Sequence, residues 1–431
     1  MAGSRPFRPS PAIRGRATAQ RTDDLDKPDR RLTPRPLPAH VASAATLWLS
    51  SRAVLPVLKN GWLPSSVAGQ QLHALADEID AFGPDKVATA LDGEIRRRAD
   101  AYLTGLETYR RHPFRRHDCL APVLWYEGTT RLLDYGEDGA GSVVLVVPSL
   151  INRHYILDLL PERSFVQHLT ERGLRPVVVD WGALGEKERG FGLADYITGR
   201  LEAALAAAIQ IAGGPIGILG YCMGGLLTLA LALGHPDETA CLALLATPWD
   251  FHAERAQQAQ LLGLIADWLP LVCGTGGVVP VDVIQSLFFI LDPLAAERKF
   301  TRFAKLDPDS EEARSFVALE DWLNDGVPLA LEVARDCMRS WYGDNEPGRG
   351  LWQVGSYRVD PTLLRRPTLV VVPSRDRIVP PSSAEPLTAQ ISGAMVLRPR
   401  LGHVGMMSAA RASTMLWTPI AEWLRAQLND R

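Results

Sequence analysis

Short, continuous apolar runs separated by amphipathic stretches fill the middle of the chain. SVVLVVPSL, which begins at Ser142 and is halted at Pro148, does not alternate between apolar and polar positions, and this predicts a strand buried on both faces. PVVVDW (Pro176 to Trp181) reads the same way, and Ser164 to Arg172, closed by Gly173, predicts a helix between the two. Strand, helix and strand in that order imply a right-handed parallel crossover. The pattern recurs in a helix over Ala194 to Ile211, the Gly213-Gly214-Pro215 break, the strand IGILGY and a helix from Gly224 to Leu233. CLALLAT (Cys241 to Thr247) and PTLVVVP (Pro367 to Pro373) add two more buried strands. Such runs with helices between them predict an α/β chain with a mainly parallel, doubly wound sheet.

The flanks read differently. Between Thr247 and Arg366 the strand signal lapses, and Trp268, Phe288, Phe289, Trp322 and Trp341 fall on helical or irregular text. That stretch, about 248–365, reads as a cap inserted over the strand ends where open sheets bind ligands, its aromatics forming the cap core or lining a pocket. Upstream, Val87, Leu91, Ile95, Ala99, Leu103 and Leu106 recur at helical spacing within residues 85–111 and predict an amphipathic helix bracing the core. Val41 to Leu58 predicts another helix, core-facing or interfacial. Residues 1–40 carry nine Lys/Arg against four Asp with many prolines, the composition of a disordered tail. The expected division is therefore a tail (1–40), an N-terminal helical extension (41–120) and an α/β domain with its cap (121–431).

At 46% apolar and 22% charged residues the chain has ample material for a core, and its net charge of −3 gives no electrostatic reason to expect nucleic acid. Cys119, Cys222, Cys241, Cys273 and Cys337 are widely spaced, which favours a reduced, cytoplasmic protein over a disulfide framework. No Cys/His spacing suits a metal, so none is expected. No signal peptide is legible and no apolar run is read as reaching the ~20 residues of a spanning helix, so integral membrane association is not expected.

Gly220-Tyr221-Cys222-Met223-Gly224-Gly225 lies between a buried strand and an apolar helix, the setting of a nucleophile elbow with cysteine at its tip. Glycines at the flanks let the chain turn sharply, and the helix N-terminus favours a thiolate at Cys222 while presenting the Met223 N–H as an oxyanion donor. The fold this implies is the α/β-hydrolase fold, in which an acid and then a histidine follow the nucleophile. Beyond position 252 the histidine is His403, in the glycine-flanked LGHVG. Asp376, just past the PTLVVVP strand, suits the acid that holds the His403 tautomer; Asp360, Asp344 and Asp250 compete with it. A second oxyanion donor is expected after the first core strand, from the Leu150 or Ile151 N–H. The other four cysteines read as core or surface thiols.

Taken together these segments resemble the polyhydroxyalkanoate synthases, over roughly residues 100 to 405. PSLINRHYILDLLPERSFVQHL (Pro148 to Leu169), GYCMGG, ATPWDFH (Ala246 to His252), SRDRIVP, GHVG and YRRHPFRR (Tyr109 to Arg116) are similar to that family's corresponding motifs, and Ser149 stands where its members commonly carry a second proline. The resemblance implies a Cys-His-Asp acyltransferase working on 3-hydroxyacyl-CoA thioesters, with no bound cofactor. It leaves room for a polymer granule surface and a homodimer as partners. Two alternatives stand beside it: a cysteine hydrolase (thioesterase, esterase or polyester depolymerase), and a non-catalytic granule-associated protein that keeps the fold. No phosphate-cradling loop is legible for CoA beyond the elbow glycines, which are committed to the turn.

Overall fold

The computed structural model describes residue 31 and residues 34–59, 67–116, 121–136, 141–254 and 256–429. Its centre is an eight-stranded sheet: β1 (Val123–Glu127), β2 (Thr130–Asp134), β3 (Ser142–Val147), β4 (Leu174–Asp180), β5 (Ile216–Tyr221), β6 (Thr239–Leu245), β7 (Thr368–Val371) and β8 (Met395–Leu397). The spatial order is β1-β2-β4-β3-β5-β6-β7-β8, parallel from β4 to β8 with an antiparallel hairpin, β1 and β2, on one edge. This is the doubly wound α/β-hydrolase sheet the apolar runs predict.

The period-2 geometry of a strand explains why those runs do not alternate. In β3, Val143, Leu145 and Val147 enter one core while Val144 and Val146 enter the other, all at most 5% exposed. Around the sheet pack α4 (Phe165–Thr170), α5 (Glu202–Ala212), α6 (Met223–Gly234), α11 (Pro381–Gln390) and α12 (Thr418–Asn429). Ser164 caps α4 by accepting from the Gln167 N–H at 3.1 Å. The helix expected from Ala194 is broken by a π-helical turn, Tyr196–Leu201, ahead of α5.

Between β6 and β7 run α7 (Ala256–Ala266), α8 (Val281–Leu291), α9 (Ala295–Phe303) and α10 (Glu311–Asn324), with a π-helical turn at Cys337–Gly343. Trp322 and Trp341 are buried there, whereas Trp268 is 62% exposed. Of the N-terminal helices, α1 (Leu37–Lys59) and α3 (Pro84–Arg111) join this region through a third cluster that includes Trp48, Tyr102, Tyr109, Phe300 and Phe303, and α2 (Val67–Phe82) packs against α1 and α3.

Three expectations change. The buried stripe of α3 is Tyr102, Gly105, Leu106 and Tyr109, and Leu103 is 56% exposed, because the helix meets α9 along a line turned away from the one drawn through the aliphatic positions alone. Helix α1 starts at Leu37, inside the segment read as tail, where Pro38 suits the first helical turn. The rest of that tail, residues 1–30 and 32–33, lies outside the described residues, as does Cys119. Finally, Leu37–Leu58 is by length and composition apolar enough to cross a membrane, with 17% of its window buried. Arg52 interrupts the apolar text, and the helix runs through it without a break from Leu37 to Lys59.

Candidate active site

The register of the sheet sets the site. Val147 pairs with Gly220 and Tyr221 with Leu245, so β3, β5 and β6 end together and their following loops converge. At the end of β5 the chain turns into α6 through Cys222, held at φ 57° and ψ −124° as the helix N-cap. Its N–H donates to Leu245 O at 2.8 Å, which anchors the turn to the neighbouring strand. A Cβ at Gly220 would stand 2.2 Å from Thr228 Oγ1, and one at Gly224 2.1 Å from Val147 O. Real Cβ atoms do not approach so closely, and this is the physical reason for the glycine spacing around Cys222. The Met223 N–H begins α6 and so has no intrahelical acceptor.

Asp376 and His403 come from the loops after β7 and β8. His403 Nδ1 lies 2.6 Å from Asp376 Oδ2, and both residues are buried, at 8% and 5% exposure. The other carboxylate oxygen, Oδ1, accepts from the Ile378 and Val379 N–H groups at 2.8 and 2.9 Å, which fixes the acid. The loops are stitched together by Ser374 N–H to Pro399 O and Arg375 N–H to Leu401 O, each 3.0 Å. Burial by itself lowers the pKa of the His403 imidazole; the charge on Cys222 and the ring's hydrogen bonds to Asp376 and Cys222 overcome it and raise the ring above its ordinary value. The competing acids are engaged elsewhere: Asp250 with Asn345 and the His252 N–H, and Asp360 with Thr362. Asp344 is exposed.

Two groups escaped the sequence reading. Tyr221, inside the elbow motif, stacks on the His403 ring (centroids 5.3 Å, 27° between planes) and donates its hydroxyl to His403 O at 3.1 Å. Its position beside Cys222 was the available signal. Tyr342, on the π-helical turn of the cap, has its phenol pushed up by burial and by the charge on Cys222, although the residue as a whole is 37% exposed. It is secured by Phe251 in an edge contact at 4.8 Å and by His252 Nε2, 2.7 Å from Tyr342 O. No sequence spacing links Tyr342 to Cys222.

The loop after β3 carries Leu150, buried, and Ile151, half-buried, with Gly224 packed against its start. The Ile151 N–H donates to Ser149 Oγ at 3.2 Å. Among the described residues no group of three or more His, Cys, Asp or Glu side chains gathers as metal ligands would. Of the remaining cysteines, Cys241 is buried and Cys273 and Cys337 are half-buried.

Comparison with known proteins extends this geometry. Residues 142–281 match the family model described as alpha/beta hydrolase fold. The chain is 29% identical over 315 residues to a "Poly(3-hydroxyalkanoate) polymerase subunit PhaC" of Haloferax mediterranei, covering 70% of this chain and 63% of the relative. It is 28% identical to the protein of that name from Haloarcula marismortui (70% of this chain, 66% of the relative) and 29% identical to that from Synechocystis sp. (65% and 77%). The chain thus spans just under two thirds of the length of the two haloarchaeal relatives.

Proposed function

From the premise that the chain is a polyhydroxyalkanoate-synthase-like protein with the α/β-hydrolase fold, we propose that it is an acyltransferase moving 3-hydroxyacyl groups from CoA thioesters through a covalent Cys222 acyl-enzyme. The observation that carries this reading is a cysteine at a strained elbow opposite an imidazole already paired with a buried carboxylate at 2.6 Å. A thiolate exchanges readily with a thioester because attacking and leaving groups are chemically alike.

In the first half-reaction the Cys222 sulfur attacks the thioester carbonyl and a new C–S bond forms. The oxyanion rests on the Met223 N–H and a second N–H from the loop after β3. Leu150 suits that second role better than Ile151, whose N–H is taken by Ser149 Oγ. The C–S bond to CoA then breaks, and CoA leaves as a thiol with the proton held by His403. In the second half-reaction His403 takes the proton of an incoming hydroxyl, whose oxygen displaces the Cys222 sulfur. Asp376 keeps Nδ1 protonated and the ring oriented throughout. Water in place of the hydroxyl would make the same site a hydrolase.

The test is incubation of the purified protein with 3-hydroxybutyryl-CoA, following free CoA and insoluble polymer beside the Cys222→Ala variant. CoA release with polymer, absent in the variant, is the expected result. CoA release with free acid alone would make the protein a thioesterase, and release undiminished in Cys222→Ala would rule out this nucleophile.

A further inference from the structure

The loop from Pro148 to Tyr155, which carries the proposed second oxyanion donor, is held from two sides. On the sheet side Trp181 Nε1 donates to Pro148 O at 3.1 Å, and His154 Nδ1 lies 3.1 Å from Asp180 Oδ1. On the other side the end of α10 reaches across from the cap. Trp322 Nε1 donates to Arg153 O at 2.8 Å, the Tyr155 hydroxyl donates to Asp325 Oδ2 at 3.0 Å, and Arg153 Nε lies 3.1 Å from the same oxygen. Asn152 and Gly326 form an isolated antiparallel bridge beside them. Asp325 is itself fixed, because its N–H closes α10 onto Asp321 O and Trp322 O. Tyr155 is 5% exposed, and burial together with the Asp325 charge pushes its phenol above the usual range, so it stays a donor through neutral pH.

We propose that Asp325 is a positioning residue for the oxyanion hole: through Arg153 and Tyr155 it fixes, from the cap, the backbone that carries the Leu150 N–H. The inference rests on the reading of Cys222 as an acylated nucleophile. Its consequence is that a seated cap and a formed oxyanion hole are one state of the molecule. A cap that lifted would carry Trp322 and Asp325 away from the loop, and the second donor would lose the support that aims it.

Two reactions at the same sulfur separate this role from general structural support. Acylation by p-nitrophenyl butyrate forms a sulfur–acyl bond, expels p-nitrophenolate and passes through an oxyanion. Alkylation by iodoacetamide forms a sulfur–carbon bond, expels iodide and makes no oxyanion. Asp325→Ala should lower the acylation rate by about 10–100-fold at an unchanged alkylation rate, since a misaimed donor forfeits much of its transition-state stabilisation. Asp325→Asn, which still accepts from Tyr155, should recover part of the loss. Tyr155→Phe, which removes a single hydroxyl, reads the same ratio should the alanine variant not fold. Acylation within twofold of wild type in Asp325→Ala, or in Tyr155→Phe where only that variant folds, overturns the proposal. So does a parallel fall of acylation and alkylation, which would mark a purely structural role. A wild-type protein that alkylates but never acylates refutes the nucleophile reading before any variant is made, and this proposal with it.

Discussion

Cys222 sits at positive φ, a conformation that costs a non-glycine residue on the order of 1–3 kcal/mol and persists only where the surroundings impose it. The bond from its N–H to Leu245 O and the glycines on both sides impose it here. The reward is electrostatic: the sulfur, at the first turn of α6, and the buried His403 form one coupled unit. Because the charge on Cys222 is the foremost influence opposing burial at His403, Cys222→Ala should lower the His403 pKa, as read from its imidazole resonances across a pH titration. Stability follows with a definite sign. A folded-state pKa raised above 6.5 contributes stability that is fully present below about pH 6.5 and lost as the pH rises through the folded value. The urea midpoint of the wild type should therefore decline on the alkaline side, and Cys222→Ala should flatten that decline. An unchanged imidazole titration in the variant would show that the two groups are not coupled. The turn at Cys222 and the pairing of His403 with Asp376 were legible because the elbow text marks the turn and one histidine follows residue 252. Tyr221 and Tyr342 were not, because stacking and cap contacts leave no spacing in the sequence.

Strands that were readable share one property, burial on both faces. In β3, β5, β6 and β7 nearly every residue is buried, so each is written as an unbroken apolar run. The edge strands β1 and β8 are partly exposed and short, and their text, VLWYE and MVL, carries neither a run nor an alternation long enough to recognise. The same logic hid the π-helical turn before α5, since its side chains keep helical spacing while one backbone turn widens. The elbow belongs to this scale too, because it is a contact between elements: Gly224 brings the start of α6 onto the end of β3. Gly224→Ala places a methyl 2.1 Å from Val147 O, a backbone atom that cannot yield without moving the strand. Overpacking of this kind costs about 1–3 kcal/mol or more. Urea unfolding should register that loss, and under the proposed function the acylation rate of Cys222 should fall with it as the elbow and the loop after β3 are forced apart. A variant as stable and as fast as wild type would mean that the elbow has slack the structure does not display.

At the scale of the whole molecule, the N-terminal extension, the cap and the sheet are tied together through α10. Arg31 belongs to the segment whose composition reads as a solvated tail, yet its side chain is 4% exposed. Its guanidinium bonds Tyr109 O at 3.1 Å, His112 O at 2.6 Å and Phe114 O, and its Nε lies 2.6 Å from Asp321 Oδ1, which also accepts from the Tyr109 hydroxyl at 2.8 Å. Composition could not reveal this, because a single arginine satisfying the carbonyls at and beyond a helix C-terminus is a property of geometry, not of average charge. Asp321 stands one helical turn before Asp325, so the cation that closes α3 also braces the turn that grips the loop after β3. Arg31→Ala takes one donor from each of three carbonyls, which keep the His112 N–H (Tyr109 O) and Arg115 Nη1 (His112 O and Phe114 O), and leaves Asp321, among the described residues, with the Tyr109 hydroxyl as its direct side-chain partner. Charged hydrogen bonds contribute about 1.5–3 kcal/mol, and the 24% exposure of Asp321 lets water recover some of it, so a loss of about 1–3 kcal/mol is expected in urea unfolding. Hydrogen exchange should rise at the end of α3 and in the last turn of α10 while the strands of the sheet stay protected. Arg31→Lys should rescue little, because an ammonium cannot span three carbonyls and a carboxylate as a planar fork does. Exchange that rises nowhere, or equally in the sheet, would mean that Arg31 rests on this surface without holding the extension to the cap.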